Sequence, residues 1–451
     1  MTSPTLVWFR DDLRIADNPA LTAAAERGAP IVALFILDEE SAGMRPLGAA
    51  SRWWLHHSVE SLRARLAERG VPLVLRRGAA GVVVRAIVRE SGASAVFWNR
   101  RYASAERAID SELKSGLRSD GLEVQSFAAS LLFEPWTVQT GAGTHYSVFT
   151  PFWRACQALP APRLPLPEPQ LLHPGSAGVQ RIVASDTLAD WNLLPTAPDW
   201  AAGLRETWTP GEPAAHDRLR EFVATDLPLY DQARDEPSAG ATSLLSPRLR
   251  WGEISPFSAW HAATGAGGSA RFLSELGWRE FAWHTLFFFP NLATANLRAE
   301  FDNFPWPQPD AQALRAWREG NTGFGIVDAG MRELWHTGHM HNRVRMITAS
   351  FLVKNLLIDW RIGEQWFWDT LVDADAASNP FNWQWVAGSG ADAAPYFRIF
   401  NPELQAKKFD PHGLYVQQWA ADASPLKIVD LGLTRKAALG AYDVVKRSGR
   451  P

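Results

Sequence analysis

"TLVWFRDDLRIADNPALTAAAERGAPIVALFIL", residues 5–37, decides the fold. Residues 5–9 are an unbroken apolar and aromatic run, as expected of a strand covered on both faces. Asn18 then precedes Pro19, a cap followed by a residue suited to a first helical turn, and Gly28 supplies the stop. A second apolar run fills residues 30–37. Outward from this unit the alternation continues. A helix is predicted over 51–70, a strand over 72–77, a helix over 81–91 and strands over 94–99 and 122–127, with a helix between the last two. Strands alternating with helices specify a parallel sheet with helices on both faces, joined by right-handed crossovers. The expectation is a Rossmann-like α/β domain over residues 1–130. The segment after its first strand reads RDDLRIAD, not G-x-G-x-x-G, so a standard dinucleotide site is not expected there.

The chain has 451 residues, room for two or three domains. Residues 131–200 read as an interdomain linker, with the proline-rich run "LPAPRLPLPEPQLLHP" at 159–174. Residues 201–451 carry helical signals and form an expected all-α domain. Cys156 is the only cysteine, which excludes an internal disulfide and any multi-cysteine cluster. No apolar run is long enough for a membrane span, and the N-terminus lacks a secretory pattern, so a cytoplasmic monomer is expected. The net charge of −3 does not announce a nucleic-acid binder. Only 7 of the 45 basic residues are lysine; coding bias or anion recognition by arginine would each produce that skew. Tryptophan is the anomaly, with 22 residues, 14 of them after residue 200.

On a helix over 272–284, Glu275, Trp278 and Arg279 share a face. A single long helix is predicted over 338–360, with Asn342 above Met346 and His341 above Arg345. No metal site is expected: His336, His339 and His341 lack a completing carboxylate, and Gly338 interrupts them. "SNPFNWQW", 378–385, reads as an irregular segment in which a turn after Pro380 points Trp383 and Trp385 in different directions.

Two long stretches, "TGFGIVDAGMRELWHTGHMHNRVRMITASFLVKNLLIDWRIGE" (322–364) and "NWQWVAGSGADAAPYFRIFNP" (382–402), closely resemble the photolyase/cryptochrome family. The resemblance runs from "LVWFRDDLRIADNPAL" (6–21) to "FNPELQAKKFDPHG" (400–413), and within the family is greatest to photolyases of cyclobutane pyrimidine dimers. It implies an FAD in the helical domain. Tyr230, Thr242, Ser243, Leu244 and Ser246 match a phosphate-binding segment. Arg279, Asn342, Arg345, Asp373 and Asp375 match positions around flavin and ribose, and Asn379 the residue beside flavin N5. Trp383, Trp360 and Trp306 match an electron relay. Glu275, Asn342 and Met346 match the floor of a lesion pocket walled by Trp278 and Trp385. Arg234, Arg343, Arg398 and Lys408 match contacts to the phosphates of UV-damaged DNA.

His339 stands where the family usually has tryptophan, and Pro380, Phe381 and Asn382 replace an Asn-Gly-Gly turn. A second, antenna chromophore of folate or deazaflavin type is implied without being specified, since Ala105 and Glu106 stand where some relatives carry an Asn-Glu pair. The resemblance also admits a cryptochrome-like photoreceptor. The pocket tryptophans with Glu275, and the short C-terminal end, favour repair. A (6-4) photolyase is disfavoured because histidine would be expected at 342 and 346.

Overall fold

A computed structural model describes residues 3–170, 172, 183–393 and 397–448. Five parallel strands, β1 (Thr5–Phe9), β2 (Ile31–Leu37), β3 (Leu73–Arg77), β4 (Ala95–Asn99) and β5 (Glu123–Phe127), form one sheet in the order β3-β2-β1-β4-β5. β1 is central: Val7 is in register with Ala33 on one side and Phe97 on the other. The strand period of two sends Val7 and Phe9 into one core and Leu6 and Trp8 into another. The helices between them are α1 (Pro19–Glu26), α2 (Ala49–Glu68), α3 (Ala80–Ser91) and α4 (Ser104–Ser119). As expected, Asn18 caps α1, accepting from Leu21 N at 3.1 Å.

The expected linker does more than connect. It folds a helix, α5 (Phe149–Ala158), whose Phe149 and Phe152 pack among residues of the helical half. Leu188, Trp191 and Leu193 close the same core as Val7 and Phe9. Part of the proline-rich run lies outside the described residues.

The two halves share buried polar contacts. Oε1 of the fully buried Glu253 accepts from Trp54 Nε1 (2.9 Å) and Ser58 Oγ (2.8 Å) on α2, and from Gly211 N (2.6 Å). Burial drives this carboxyl up to about 7, Arg248 opposing. Next to it Gly252 has φ +62°, and a β-carbon there would lie 2.2 Å from Asp11 O. Only glycine permits this approach of the two backbones.

Two expectations in the helical half are corrected. The helix over 338–360 is several pieces. Gly338, at φ +66°, ends the helix Gly325–Thr337; His341 caps the helix Asn342–Ser350; a π-turn spans Phe351–Asn355; and Asp359 caps a new helix, Trp360–Thr370. His341 and Arg345 therefore do not form the helical pair expected of an unbroken segment. The second correction concerns 378–385, which is not irregular: Ser378–Ala387 is a helix. Asp375 Oδ1 accepts from the N–H groups of Ala377 and Ser378 at its start. Pro380 lies in the first turn, where a missing N–H costs no helical bond.

Candidate active site

A cavity opens between the helices Ser269–Phe288, Asn342–Ser350, Trp360–Thr370 and Ser378–Ala387. Its wall carries hydroxyls (Tyr230, Ser243, Ser246), guanidiniums (Arg250, Arg279, Arg345), carboxylates (Glu275, Asp373, Asp375), amides (Asn342, Asn379) and the rings of Phe367 and Trp383, with Met346 beside them. Residues 230 to 383 thus converge, and nearly every site residue expected around a cofactor is among them.

Thr242 and Leu244 are the exceptions. Arg218 holds the carbonyls of Thr242 (2.8 Å) and Ser243 (2.9 Å). Leu244 sits at φ +52°, uncommon for a leucine, and its side chain packs against the α/β core. These two shape the loop that presents Ser243 and Ser246. Sequence reading missed Arg218 and also Arg250, which Asp11 (2.9 Å) and Ala374 O (2.9 Å) hold at the cavity wall.

Asp373 anchors one side. Arg345 donates to both its oxygens (3.0 and 2.8 Å) and Ser246 Oγ adds a bond of 2.6 Å. Burial alone would push this carboxyl up, but Arg345 and Ser246 outweigh it and hold it below the ordinary range. Asn379 is oriented without ambiguity: Nδ2 donates to Glu364 O (3.1 Å) and Glu364 Oε1 (2.9 Å), both acceptors, which leaves Oδ1 for the cavity. Glu364 is itself buried and gripped by Arg45 from the α/β half at 2.7 and 2.8 Å. The Arg45 guanidinium also lies 3.9 Å from the centroid of the Trp368 ring.

On the Ser378–Ala387 helix, positions two apart point about 200° from one another. The buried Trp383 lines the cavity, edge-on to Phe367 (4.9 Å) and Trp317 (6.3 Å). Trp385 is partly buried against the same core that contains Trp383 and Trp360, with the Arg398 guanidinium 5.9 Å from its ring centroid. Trp360 is fully buried and Trp306 half-buried, its ring tilted at 37° to Phe304 with centroids 4.2 Å apart. Trp278 does not line the cavity; its ring stacks flat on Phe149, centroids 3.7 Å apart.

The four expected phosphate contacts separate. Arg343 and Lys408 both approach the ring of Phe409, at 4.5 and 5.0 Å, and Lys408 and Arg398 are exposed. Arg234 is placed differently. It is 8% exposed and ion-paired with Glu275, so it is placed to hold that carboxylate rather than a phosphate. Glu106, matched to a folate contact, accepts from Ala103 N (3.2 Å) at the start of α4 and lies 4.0 Å from Arg101.

Residues 5–170 match the family model described as DNA photolyase, and residues 272–434 the FAD binding domain of DNA photolyase. The chain is 48% identical to a deoxyribodipyrimidine photo-lyase of Agrobacterium fabrum, covering 99% of both chains. This chain belongs to the photolyase/cryptochrome family. Its structure superposes on a crystal structure of a bacterial class III photolyase from Agrobacterium tumefaciens with TM-score 0.94, at 48% identity over 99% of this chain and 98% of that one. It is also 37% identical to cryptochrome-1 of Arabidopsis thaliana, over 94% of this chain and 63% of that protein. The helical half is thus an FAD-binding domain of the photolyase type, and the donor set of the cavity fits that cofactor. Hydroxyls and guanidiniums suit phosphates, carboxylates suit ribose hydroxyls, and the Asn379 oxygen would suit an N–H donor of the flavin.

Proposed function

We propose that the protein is a light-driven lyase that repairs cyclobutane pyrimidine dimers in DNA. The observation that carries this reading is a single cavity in which Glu275, Asn342 and Met346 accompany Asn379 and Trp383. FAD bound there in its reduced form would supply the electron that opens the cyclobutane ring and take it back. The protein's part is to bind, orient and exclude water. Enzymes that act on a base inside a duplex turn it out of the stack, photolyases among the known cases. Arg343, Arg398 and Lys408 would hold the backbone, while Trp278 and Trp385 would contact the extruded bases. Glu275, steadied by Arg234, would hydrogen-bond the dimer. Trp306, Trp360 and Trp383 would deliver electrons inward to keep the flavin reduced. An antenna chromophore of folate or deazaflavin type would only add light absorption.

Purified, reduced protein incubated with a thymine-dimer oligonucleotide under blue light should release monomers, and a dark control should not. No light-dependent monomerisation would leave the second reading, a photoreceptor without repair activity, which the likeness to a plant cryptochrome supports.

A further inference from the structure

The three relay tryptophans do not share one environment at the indole nitrogen. Trp383 Nε1 is buried and has no acceptor among the described residues. Trp360 Nε1 donates to Asn296 Oδ1 at 3.0 Å. The orientation of that amide follows from its other contact, since Asn296 Nδ2 donates to Asp302 Oδ1 at 2.7 Å. Both rings belong to one buried core. Trp383 lies against Gly363, one helical turn from Trp360 on the Trp360–Thr370 helix.

We propose that Asn296, held by Asp302, is the positioning residue that makes Trp360 the electron donor to Trp383, its amide oxygen stabilising the oxidised indole without taking its proton. The proposal rests on reading these tryptophans as a relay. Trp383 gives one electron to the photoexcited oxidised flavin, and Trp360 gives one electron to restore Trp383. Trp360 is left as a radical cation with its N–H intact, and no bond forms or breaks. An indole that has lost an electron is a far stronger N–H donor, so a fixed acceptor favours the cation over the neutral ring. Trp383 has no such acceptor among the described residues, and the difference moves the positive charge outward. The base strength of the acceptor matters. An amide oxygen accepts the hydrogen bond but is too weak a base to take the proton, so the charge stays mobile and can pass to Trp306. A carboxylate would take the proton and fix the radical at Trp360. Asp302 therefore acts at one remove, polarising the amide. The Arg361 guanidinium, 4.7 Å from the Trp360 ring, opposes oxidation, but Asp359 offsets its charge at 3.1 and 3.2 Å.

Flash spectroscopy of the oxidised flavoprotein tests this, in a Trp317→Phe background that removes the competing indole 6.3 Å from Trp383. A hydrogen bond to a charged group is worth about 1.5–3 kcal/mol, so Asn296→Leu should lower the long-lived radical yield by about tenfold or more. Asn296→Asp should restore the yield and produce a neutral, deprotonated tryptophan radical with a solvent isotope effect. An independent readout is the Trp360 indole N–H resonance in 15N-labelled protein in the dark, which should move on Asn296→Leu. Parent-like yields in Asn296→Leu, an unmoved resonance, or a cation spectrum in Asn296→Asp would each overturn the proposal. Trp360→Phe separates the two levels. If it leaves the yield intact, the relay reading itself fails; if it abolishes the yield while Asn296→Leu does not, only the role of Asn296 fails.

Discussion

The indole of Trp383 lies against Gly363 so closely that a β-carbon at 363 would sit 2.1 Å from Cη2. The ring is wedged between the Trp360–Thr370 helix and the cavity, so its position depends on a residue with no side chain. Gly363→Ala should displace the ring and slow light-driven reduction of oxidised flavin, as Trp383→Phe should by removing the donor. Repair by chemically reduced protein should survive Trp383→Phe. Loss of repair in that prereduced variant would contradict the separation of relay from lesion pocket.

Trp385 faces away from Trp383 and toward Arg398. Stacking of a base on an aromatic ring is worth about 1–3 kcal/mol, so Trp385→Ala should weaken binding of damaged DNA by roughly five- to over a hundredfold. Affinity for undamaged DNA should change little. The two affinities, flavin content and melting temperature belong in one experiment. Full flavin with undiminished preference for damage would show that Trp385 is only packing.

Neutralising Arg343, Arg398 or Lys408 should each lower the salt slope of DNA binding by about one unit and weaken all sequences alike. Arg234→Met should behave differently, because its guanidinium is committed to Glu275. The expected result is an unchanged salt slope with reduced discrimination for damage. A slope change equal to that of Arg398 would place Arg234 back among the phosphate contacts.

Arg45→Met leaves the buried Glu364 without its cation and loosens the residue that orients Asn379. Breaking a buried pair costs about 3–5 kcal/mol; with Arg45 one-third exposed, the loss should fall somewhat below that. The melting temperature should drop and the flavin reduction potential shift. A stable variant with the parent potential would remove Asn379 from Arg45's influence.

Glu253 joins the two halves, and its folded carboxyl titrates at about 7 against an ordinary 4.5. A folded value raised above the unfolded one stabilises the fold below the lower value and loses that contribution as pH rises through the upper. Glu253→Gln keeps an oxygen for Trp54, Ser58 and Gly211 and does not titrate. Its melting temperature relative to the parent should therefore climb between about pH 4.5 and 7 and level off above. A constant difference across that range would mean that Glu253 stays ionised.

The α/β half was legible because its signals are local. Caps, stops and the strand period lie within a few residues of one another, so the order of strands and helices for residues 5–127 follows from neighbours along the chain. The family resemblance likewise picked out Tyr230, Asn342, Arg345, Asp373 and Asn379, which all line one cavity. Local pattern failed where packing overrode it. The apolar run 338–360 looks continuous, yet Gly338 and the π-turn break it so that Asn342 and Trp360 can begin separate helices. The segment 378–385 looks irregular because Asn379 and Pro380 are poor interior helix residues, yet in a first turn capped by Asp375 neither costs a bond. Only the tertiary structure decided what each site residue leans on. Arg45 lies 319 residues from Glu364, and Arg234 is 41 from the Glu275 that takes it out of the solvent. Ion pairs of such separation leave no periodicity in a sequence; they exist only once the cores on either side have packed.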